Sequence, residues 1–364
     1  MMLRIAINGF GRIGRAAFKI AQTKKNIEVV ALNNPGNVPG LAHLLKYDTA
    51  YGVWPHEVKG ISVVGSNGRA PVQAGKPIGS IVVDKKKYPI YGDKDPLLLP
   101  WKRLKVDVVL ECTGRFTKDD AALVHLKAGA KRVVISAPTK GGETQTFLLG
   151  VNEKGYQGQG VISNASCTTN CIAPVTKVMS ESFGIKKAMM TTVHAVTAEQ
   201  NLVDSNPPPL HSDLRRARSA LVNIVPTTTG AASALGEVIK ETKGIFDGMA
   251  LRVPVLVGSL ADFTFLVKKK TTAAQVNAAF TRAAKRPELQ GILAATSEPI
   301  VSTDVVGRTE SSIVDLSLTK VVDGDLVKVL AWYDNEWGYA NRLVEMALLV
   351  GGFLSGLDKS DRFD

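Results

Sequence analysis

Cys167 is the residue of this chain best suited to covalent chemistry. It stands in Ser163-Asn164-Ala165-Ser166-Cys167-Thr168-Thr169-Asn170-Cys171, after a short apolar run (Val161, Ile162). Beyond it, Ile172 to Met179 carries apolar residues at helical spacing. A strand-to-helix junction puts the sulfur beside the unpaired N–H groups that open a helix, where partial positive charge favours thiolate over thiol. The thiolate is the nucleophilic form; a free Cys otherwise behaves as a small buried hydrophobe. Further on, Thr191-Thr192-Val193-His194-Ala195-Val196-Thr197 ends a strand-like run in a His, a base that titrates near neutrality. A zinc reading of Cys167, Cys171 and His194 lacks a fourth ligand at a motif spacing, so no metal is expected. Cys171 reads as a structural or redox-modulating neighbour.

The elements that must position these residues begin at the N-terminus. Leu3 to Asn8 reads as a buried strand running into Gly9-Phe10-Gly11-Arg12-Ile13-Gly14, with a helical pattern through Ala21. Strand before and helix after is the context in which G-x-G-x-x-G marks a dinucleotide loop. Ile27 to Leu32 is the second strand, ending at Asn33-Asn34-Pro35-Gly36, and Leu41 to Leu45 starts a helix. From Trp54 to Trp101 the chain is rich in Gly, Pro and Lys, with short strands at Ile61 to Val64 and Ile81 to Val83. It reads as an irregular excursion from the sheet, with no chemistry. Val106 to Glu111 is a further buried strand, and Cys112 to Thr117 leaves its C-terminal end, the edge where open α/β sheets bind cofactors. Asp119 to Gly129 reads as helix and Arg132 to Ser136 as strand, with Cys112 and His125 structural.

After His194 comes a long polar loop, Thr197 to Leu214, whose Asn206-Pro207-Pro208-Pro209 excludes helix and central strand. Pro226-Thr227-Thr228-Thr229-Gly230 reads as the opening of a helix and a seat for phosphate. Long strands follow at Gly248 to Val257, Phe263 to Val267 and Leu326 to Tyr333, with helices at Ala273 to Ala284 and around Glu310. Strand-rich sequence after an alternating first half implies an α+β second domain with an antiparallel-leaning sheet. Glu336 to Leu354 shows one apolar helix face.

The chain has 364 residues, enough for two domains, with a net charge of +12. No apolar run reaches the roughly 18 residues needed to cross a bilayer. The start leaves no room for a signal peptide and the end carries no peroxisomal address. Three Cys make no disulfide framework, which fits a reducing cytoplasm. The positive field suits phosphorylated ligands. The Lys are scattered, and the runs at 85–87 and 268–270 are short, so nucleic acid is not expected as the primary partner.

The Cys167 segment, the His194 segment and Ala331-Trp332-Tyr333-Asp334-Asn335-Glu336-Trp337-Gly338-Tyr339, in this order, closely resemble phosphorylating glyceraldehyde-3-phosphate dehydrogenases. The likeness extends from Ile5 to about Ala347. It implies an α/β chain: a discontinuous, doubly wound Rossmann domain (1–166 and 335–364, with the C-terminal helix returning) and a catalytic domain (167–334). The implied reaction oxidises D-glyceraldehyde 3-phosphate with inorganic phosphate, through a thiohemiacetal and thioester on Cys167 with His194 as base and as support for the thiolate. The resemblance implies that Gly9, Phe10, Gly11, Arg12, Ile13, Gly14, Asn34, Thr113, Gly114, Phe116 and Ser136 hold the dinucleotide. It also sets Asn335 on the nicotinamide carboxamide and Tyr339 beside the ring. The substrate phosphate maps onto Thr197, Arg216 and Arg252, and inorganic phosphate onto Ser166, Thr168, Thr229 and Gly230. Arg suits such seats because its planar fork pairs with phosphate oxygens. A homotetramer is implied, with the Pro-rich loop at a subunit contact.

Erythrose-4-phosphate dehydrogenase shares the fold, Cys, His and cofactor site, but does not need bound inorganic phosphate. A non-catalytic binding protein on the same scaffold is the reading from another class. One position departs from the NAD pattern. An acidic residue about 20 residues after the glycine loop normally binds the adenosine ribose, and Asn34 stands there. Asn keeps an acceptor but not the charge that repels a 2′-phosphate. The expectation is NAD as main cofactor with NADP tolerated.

Overall fold

A computed structural model of the protein describes residues 2–63, 73–207 and 213–352. Val64, the stretch following it through 72, Pro208, Pro209 and Leu354 lie outside these. The chain divides into two compact units, one of residues 1–146, 156–164 and 340–364, the other of 147–155 and 165–339.

In the first unit the chain runs β1 (Leu3–Asn8), α1 (Arg12–Thr23), β2 (Ile27–Asn33), α2 (Val38–Lys46) and the small hairpin β3 (Tyr47–Asp48) and β4 (Gly52–Val53). It continues through β5 (Val58–Ser62), β6 (Gly79–Val83), β7 (Lys86–Tyr91), β8 (Val108–Glu111), α3 (Val124–Lys127), β9 (Arg132–Ile135), β10 (Gln145–Thr146) and β11 (Val161–Ser163). One nine-stranded sheet forms in the order β10-β11-β9-β8-β1-β2-β7-β6-β5. β1 pairs in parallel with β2 on one side and β8 on the other, so the winding reverses there. In an open α/β sheet that reversal opens a ligand crevice at the C-terminal strand ends. The central strands β1, β2, β8 and β9 are mostly apolar and buried, as strands covered on both faces require.

The 54–101 stretch is no excursion: β5, β6 and β7 extend the main sheet, with β7 parallel to β2 and the other pairs antiparallel. Their ladder partners lie across the sheet, which local composition does not reveal. The 119–129 segment is not one helix, because Asp119 and Asp120 take left-handed φ values of 48° and 56°, leaving a 3₁₀ turn and the short α3.

The second unit contains α4 (Cys167–Phe183), β12 (Ile185–His194), β13 (Val225–Thr228), α5 (Ala231–Val238), β14 (Phe246–Arg252), β15 (Ser259–Val267) and α6 (Ala273–Ala283). Then come β16 (Leu293–Thr296), β17 (Ser312–Asp315), β18 (Lys320–Val322), β19 (Leu326–Tyr333) and the start of α7 (Trp337–Val350). The sheet order is β13-β14-β12-β15-β19-β17-β16, mainly antiparallel, with β12 parallel to β14 and β16 parallel to β17. α4 buries Cys171, Ile172, Val175, Val178 and Met179 in one core with Phe263, Phe265 and Val329 of the sheet. Residues 147–155 join this unit because Leu148 enters that core and Lys177 Nζ donates to the carbonyls of Gly150 and Val151. Residues around Glu310 form no helix, and Pro226 to Thr228 lies in a strand rather than opening α5. The Pro226 residue is tolerated there because β13 is an edge strand.

Candidate active site

Cys167 is the first residue of α4, and Ser166 caps the helix by accepting the Thr169 N–H at 3.0 Å. Ala165, fully buried, takes a left-handed φ of 52°, turning the chain sharply into the helix. A β-carbon in that conformation costs about 1 kcal/mol or more, and such strain is held only where packing enforces it. The Tyr339 hydroxyl donates to Ala165 O at 2.8 Å and helps do so. His194 ends β12, level with Arg252 on β14. Its Nε2 stands 3.4 Å from Cys167 Sγ.

The tautomer follows from the neighbours. His194 Nδ1 is 2.7 Å from Ala195 O, which can only accept, so Nδ1 carries the proton and Nε2 faces the sulfur as acceptor. Arg252 Nη1 donates to the same carbonyl at 3.1 Å and stands 2.6 Å from Nδ1. A guanidinium has no acceptor, so at Nδ1 it acts as a cation pressed against the imidazole. Burial, aided by that cation, pushes the His194 pKa down to about 3. Burial also pushes the Cys167 thiol up, while Arg252 and N–H and O–H donors of Thr168 pull it back without reversing the direction. Burial thus favours the neutral form of both partners. The dry surroundings work against the helix terminus, whose donors favour the thiolate that the resemblance implies. Cys112 and Cys171 are also pushed up by burial, and Cys171 Sγ faces Ser312 and Ala331 O rather than completing a metal site.

Beneath the pair lies Tyr333, buried, with its ring edge-on to His194 at a centroid distance of 6.0 Å. Its hydroxyl links Thr168 Oγ1 at 3.1 Å with Thr192 Oγ1 at 2.8 Å. That link fixes the Thr168 side chain, which the resemblance sets at an anion seat. Neither Tyr333 nor Thr192 stands out in sequence, because an apolar strand hides a single functional hydroxyl.

Two buried polar atoms near this pair have no hydrogen-bond partner among the described residues: Thr197 Oγ1 and Arg252 Nε. Buried donors left unpaired cost about 1–3 kcal/mol, so this geometry is one that an anion would satisfy. Arg216 is buried and fixed by Thr227 Oγ1 at 2.9 Å and Glu199 Oε1 at 2.8 Å. Thr229 caps α5 locally, its Oγ1 accepting from the Ala231 N–H at 3.2 Å, and Gly230 opens onto empty space. In register, Val225 sits opposite Arg252 and Thr228 opposite Met249, so Thr229 and Gly230 follow the strand end farther from His194.

The first unit carries a separate cleft of about 260 Å³ at the ends of β1, β2 and β8. Gly9, Gly11, Asn34, Thr113 and Phe116 line it, with Arg115 between the last two, as do Asp93 and Lys94, which sequence reasoning missed. Asp93 and Lys94 come from the misread stretch and reach the cleft only because β7 joins β2. Gly9 (φ +95°) packs so tightly that a β-carbon would meet Cys112 C at 2.7 Å, whereas a β-carbon on Gly11 would meet nothing within 4 Å. α1 begins with no side-chain cap and no acid in its first turn, so its N-terminal donors face the open space above Gly11. These features fit a pyrophosphate. The Arg12 guanidinium is turned onto Asp48 at 2.9 Å, so Arg12 can serve such a group only through its backbone. Ile13 and Gly14 continue the first turn, Phe10 is fully buried, and Gly114 takes φ +69° beside Thr113. The Ser136 hydroxyl pairs with Cys112 rather than lining the cleft.

His125, without a visible partner in sequence, belongs to a buried network under this cleft. Its Nε2 meets Glu111 Oε2 at 2.9 Å and its Nδ1 accepts from Trp101 Nε1 at 3.0 Å. Glu111 in turn accepts from Asn8 Nδ2 at 2.5 Å and from the Thr113 N–H at 2.8 Å, fixing two cleft residues. Asn34 Oδ1 accepts from the Phe10 N–H at 3.2 Å and keeps a second lone pair for a ribose hydroxyl. In the second unit Asn335 Oδ1 accepts from the Gly258 N–H at 3.2 Å and from Ser259 Oγ at 2.9 Å, which fixes the amide with Nδ2 as its donor end.

Residues 3–119 match the description "Glyceraldehyde 3-phosphate dehydrogenase, NAD binding domain" and residues 166–335 match "Glyceraldehyde 3-phosphate dehydrogenase, C-terminal domain". The chain is 49% identical over 358 residues to the glyceraldehyde-3-phosphate dehydrogenase of Mycobacterium avium, covering 96% of this chain and 99% of that one. It is 47% identical over 352 residues to that of Geobacillus stearothermophilus, with 96% and 98% covered. With chloroplastic glyceraldehyde-3-phosphate dehydrogenase A of Chlamydomonas reinhardtii it shares 46% identity over 348 residues, with 95% and 88% covered. Both domains, in order and nearly end to end, place the chain in one family: it belongs to the glyceraldehyde 3-phosphate dehydrogenases.

Proposed function

We propose that this protein oxidises D-glyceraldehyde 3-phosphate and transfers the acyl group to inorganic phosphate, giving 1,3-bisphosphoglycerate. The observation that carries the reading is Cys167 Sγ at 3.4 Å from an acceptor Nε2 of His194, beside buried, unpartnered donors of Thr197 and Arg252. As Cys167 attacks the aldehyde carbon, His194 Nε2 takes up the displaced proton and can hold it at the developing hydroxyl. Arg252, Thr197 and Arg216 grip the substrate phosphate and set the carbonyl at the sulfur. A bound NAD supplies the hydride acceptor, with NADP tolerated. The Gly9–Gly14 turn, Asn34, Thr113 and Phe116 hold it, and Asn335 with Tyr339 is assigned to its nicotinamide end. Ser166, Thr168, Thr229 and Gly230 are assigned to the inorganic phosphate that cleaves the thioester. Residues 1–166 and 335–364 are assigned to the dinucleotide and 167–334 to the chemistry.

The assembly proposed is a homotetramer in the cytoplasm. Leu202, Val203, Leu221, Val222 and Ile224 are exposed, Val222 at 81%, and cluster in and beside the Pro-rich loop. Such a patch marks a subunit contact more readily than a solvated surface. No helix among the described residues is long and apolar enough to cross a membrane. The test is dinucleotide reduction with glyceraldehyde 3-phosphate and erythrose 4-phosphate, each with and without inorganic phosphate. Turnover on the first that depends on phosphate is expected; phosphate-independent turnover on the second alone would overturn the assignment.

A further inference from the structure

Glu199 is a carboxylate lodged on one of the arginines assigned above to the substrate phosphate. Its Oε1 lies 2.8 Å from Arg216 Nη1, and its side chain is 40% exposed against 9% for the arginine. Arg216 is held independently of it, through Nε to Thr227 Oγ1 at 2.9 Å, and Thr227 in turn donates to Asp213 Oδ2 at 3.1 Å. The arginine is therefore fixed by β13 and the turn at Asp213, while the carboxylate reaches it from the solvent side. The charge of Glu199 also favours the cationic form of Arg252, and that of Arg216 opposes it, so the three groups share one field. Two guanidinium groups facing one seat repel each other until a negative charge enters. Glu199 supplies that charge in the resting molecule, yet leaves Arg252 Nε and Thr197 Oγ1 buried without a hydrogen-bond partner.

We propose that Glu199 is an internal counter-ion, displaced when the phosphate of the substrate enters, so that it sets the affinity and selectivity for phosphorylated aldehydes; this rests on the function proposed above. A phosphate dianion offers enough acceptor oxygens for both arginines and Thr197, which one carboxylate on Arg216 does not. The two anions repel at this range, so entry of phosphate turns Glu199 outward, and its exposure makes that movement cheap. The pairing acts as a selectivity filter: a ligand without a strong negative charge gains nothing by competing for Arg216.

The experiment uses the full-length enzyme and the variants Glu199→Gln and Glu199→Ala. It measures kcat/KM and KM for glyceraldehyde 3-phosphate and for glyceraldehyde, with inorganic sulfate as a competitive probe of the seat. Removing the counter-ion should lower KM for glyceraldehyde 3-phosphate and the inhibition constant of sulfate by about two- to tenfold, the range a half-exposed ion pair can withhold. The kcat/KM for glyceraldehyde should stay within about twofold. If both variants raise KM for glyceraldehyde 3-phosphate, or leave both constants unchanged, Glu199 only positions Arg216 and the proposal is wrong. If the unmodified enzyme itself does not prefer the phosphorylated aldehyde, the proposed function fails instead, so the two failures are told apart. Circular dichroism and a melting curve confirm that each variant is folded.

Discussion

Arg252 touches both halves of the proposed chemistry, and Arg252→Ala separates them. Its Nη1 stands 2.6 Å from His194 Nδ1, and its Nε is buried with no hydrogen-bond partner among the described residues. Losing a charged donor to phosphate costs about 1.5–3 kcal/mol, or roughly ten- to hundredfold in kcat/KM for glyceraldehyde 3-phosphate. Unphosphorylated glyceraldehyde makes no such bond and should escape that loss. The second effect falls on both substrates. Burial first, then the Arg252 charge, hold His194 down at about 3 against an ordinary 6.5. Removing the cation makes the imidazolium cheaper and moves that value upward, though burial keeps it below the ordinary one. A base is lost as pH falls through its pKa, so the variant should gain an acid limb between about pH 3 and 6.5 that the parent shows only at the bottom of that range. The assay is kcat/KM for both aldehydes across pH, with stability followed in parallel. Equal losses on both substrates near pH 8, with an unmoved acid limb, would refute the reasoning.

Further outcomes are expected elsewhere. Asn34→Asp keeps the acceptor for the Phe10 N–H and adds the missing charge beside Lys94 in the cleft. It should shift the NAD-to-NADP ratio of kcat/KM toward NAD by about tenfold or more, and a parent enzyme that already rejects NADP would defeat the argument. Tyr333→Phe removes the link between Thr168 and Thr192. It should cost about 1–3 kcal/mol in urea unfolding, and an unchanged midpoint would show the link to be idle. Because His194 is buried neutral, the unfolded chain takes up a proton that the folded one refuses. Folding stability should therefore fall as pH drops from about 6.5 toward 3, by up to ~5 kcal/mol from this group. Light scattering at micromolar concentration should give a tetramer, and a monomer would remove the reading of the exposed 202–224 side chains.

Much of this architecture is legible locally. The turn Gly9 to Gly14 is announced by an apolar strand before it and a helical pattern after it, and β1 and α1 fall there. Cys167 at a helix start follows from the same kind of local junction, as does His194 at a strand end. What escapes the sequence is set by distant partners. β5 to β7 read as an excursion because their membership of the sheet depends on β2. Lys94 reaches the cleft for that reason alone. Glu199 gains meaning only when the loop after β12 meets Arg216, and Tyr333 only when β19 brings it to His194. The surroundings of Cys167 are half legible for a related reason: a helix terminus is visible in sequence, but the burial that opposes it is not.

The central claim is an acyl group carried on Cys167, and trapping it is the direct test. The enzyme is mixed with glyceraldehyde 3-phosphate and NAD in phosphate-free buffer, quenched in acid and digested for mass spectrometry. The account predicts one 3-phosphoglyceroyl thioester, on the peptide holding Cys167, which disappears when inorganic phosphate is added and never forms in Cys167→Ser. No adduct under any condition, or an adduct on Cys112 or Cys171, would contradict it.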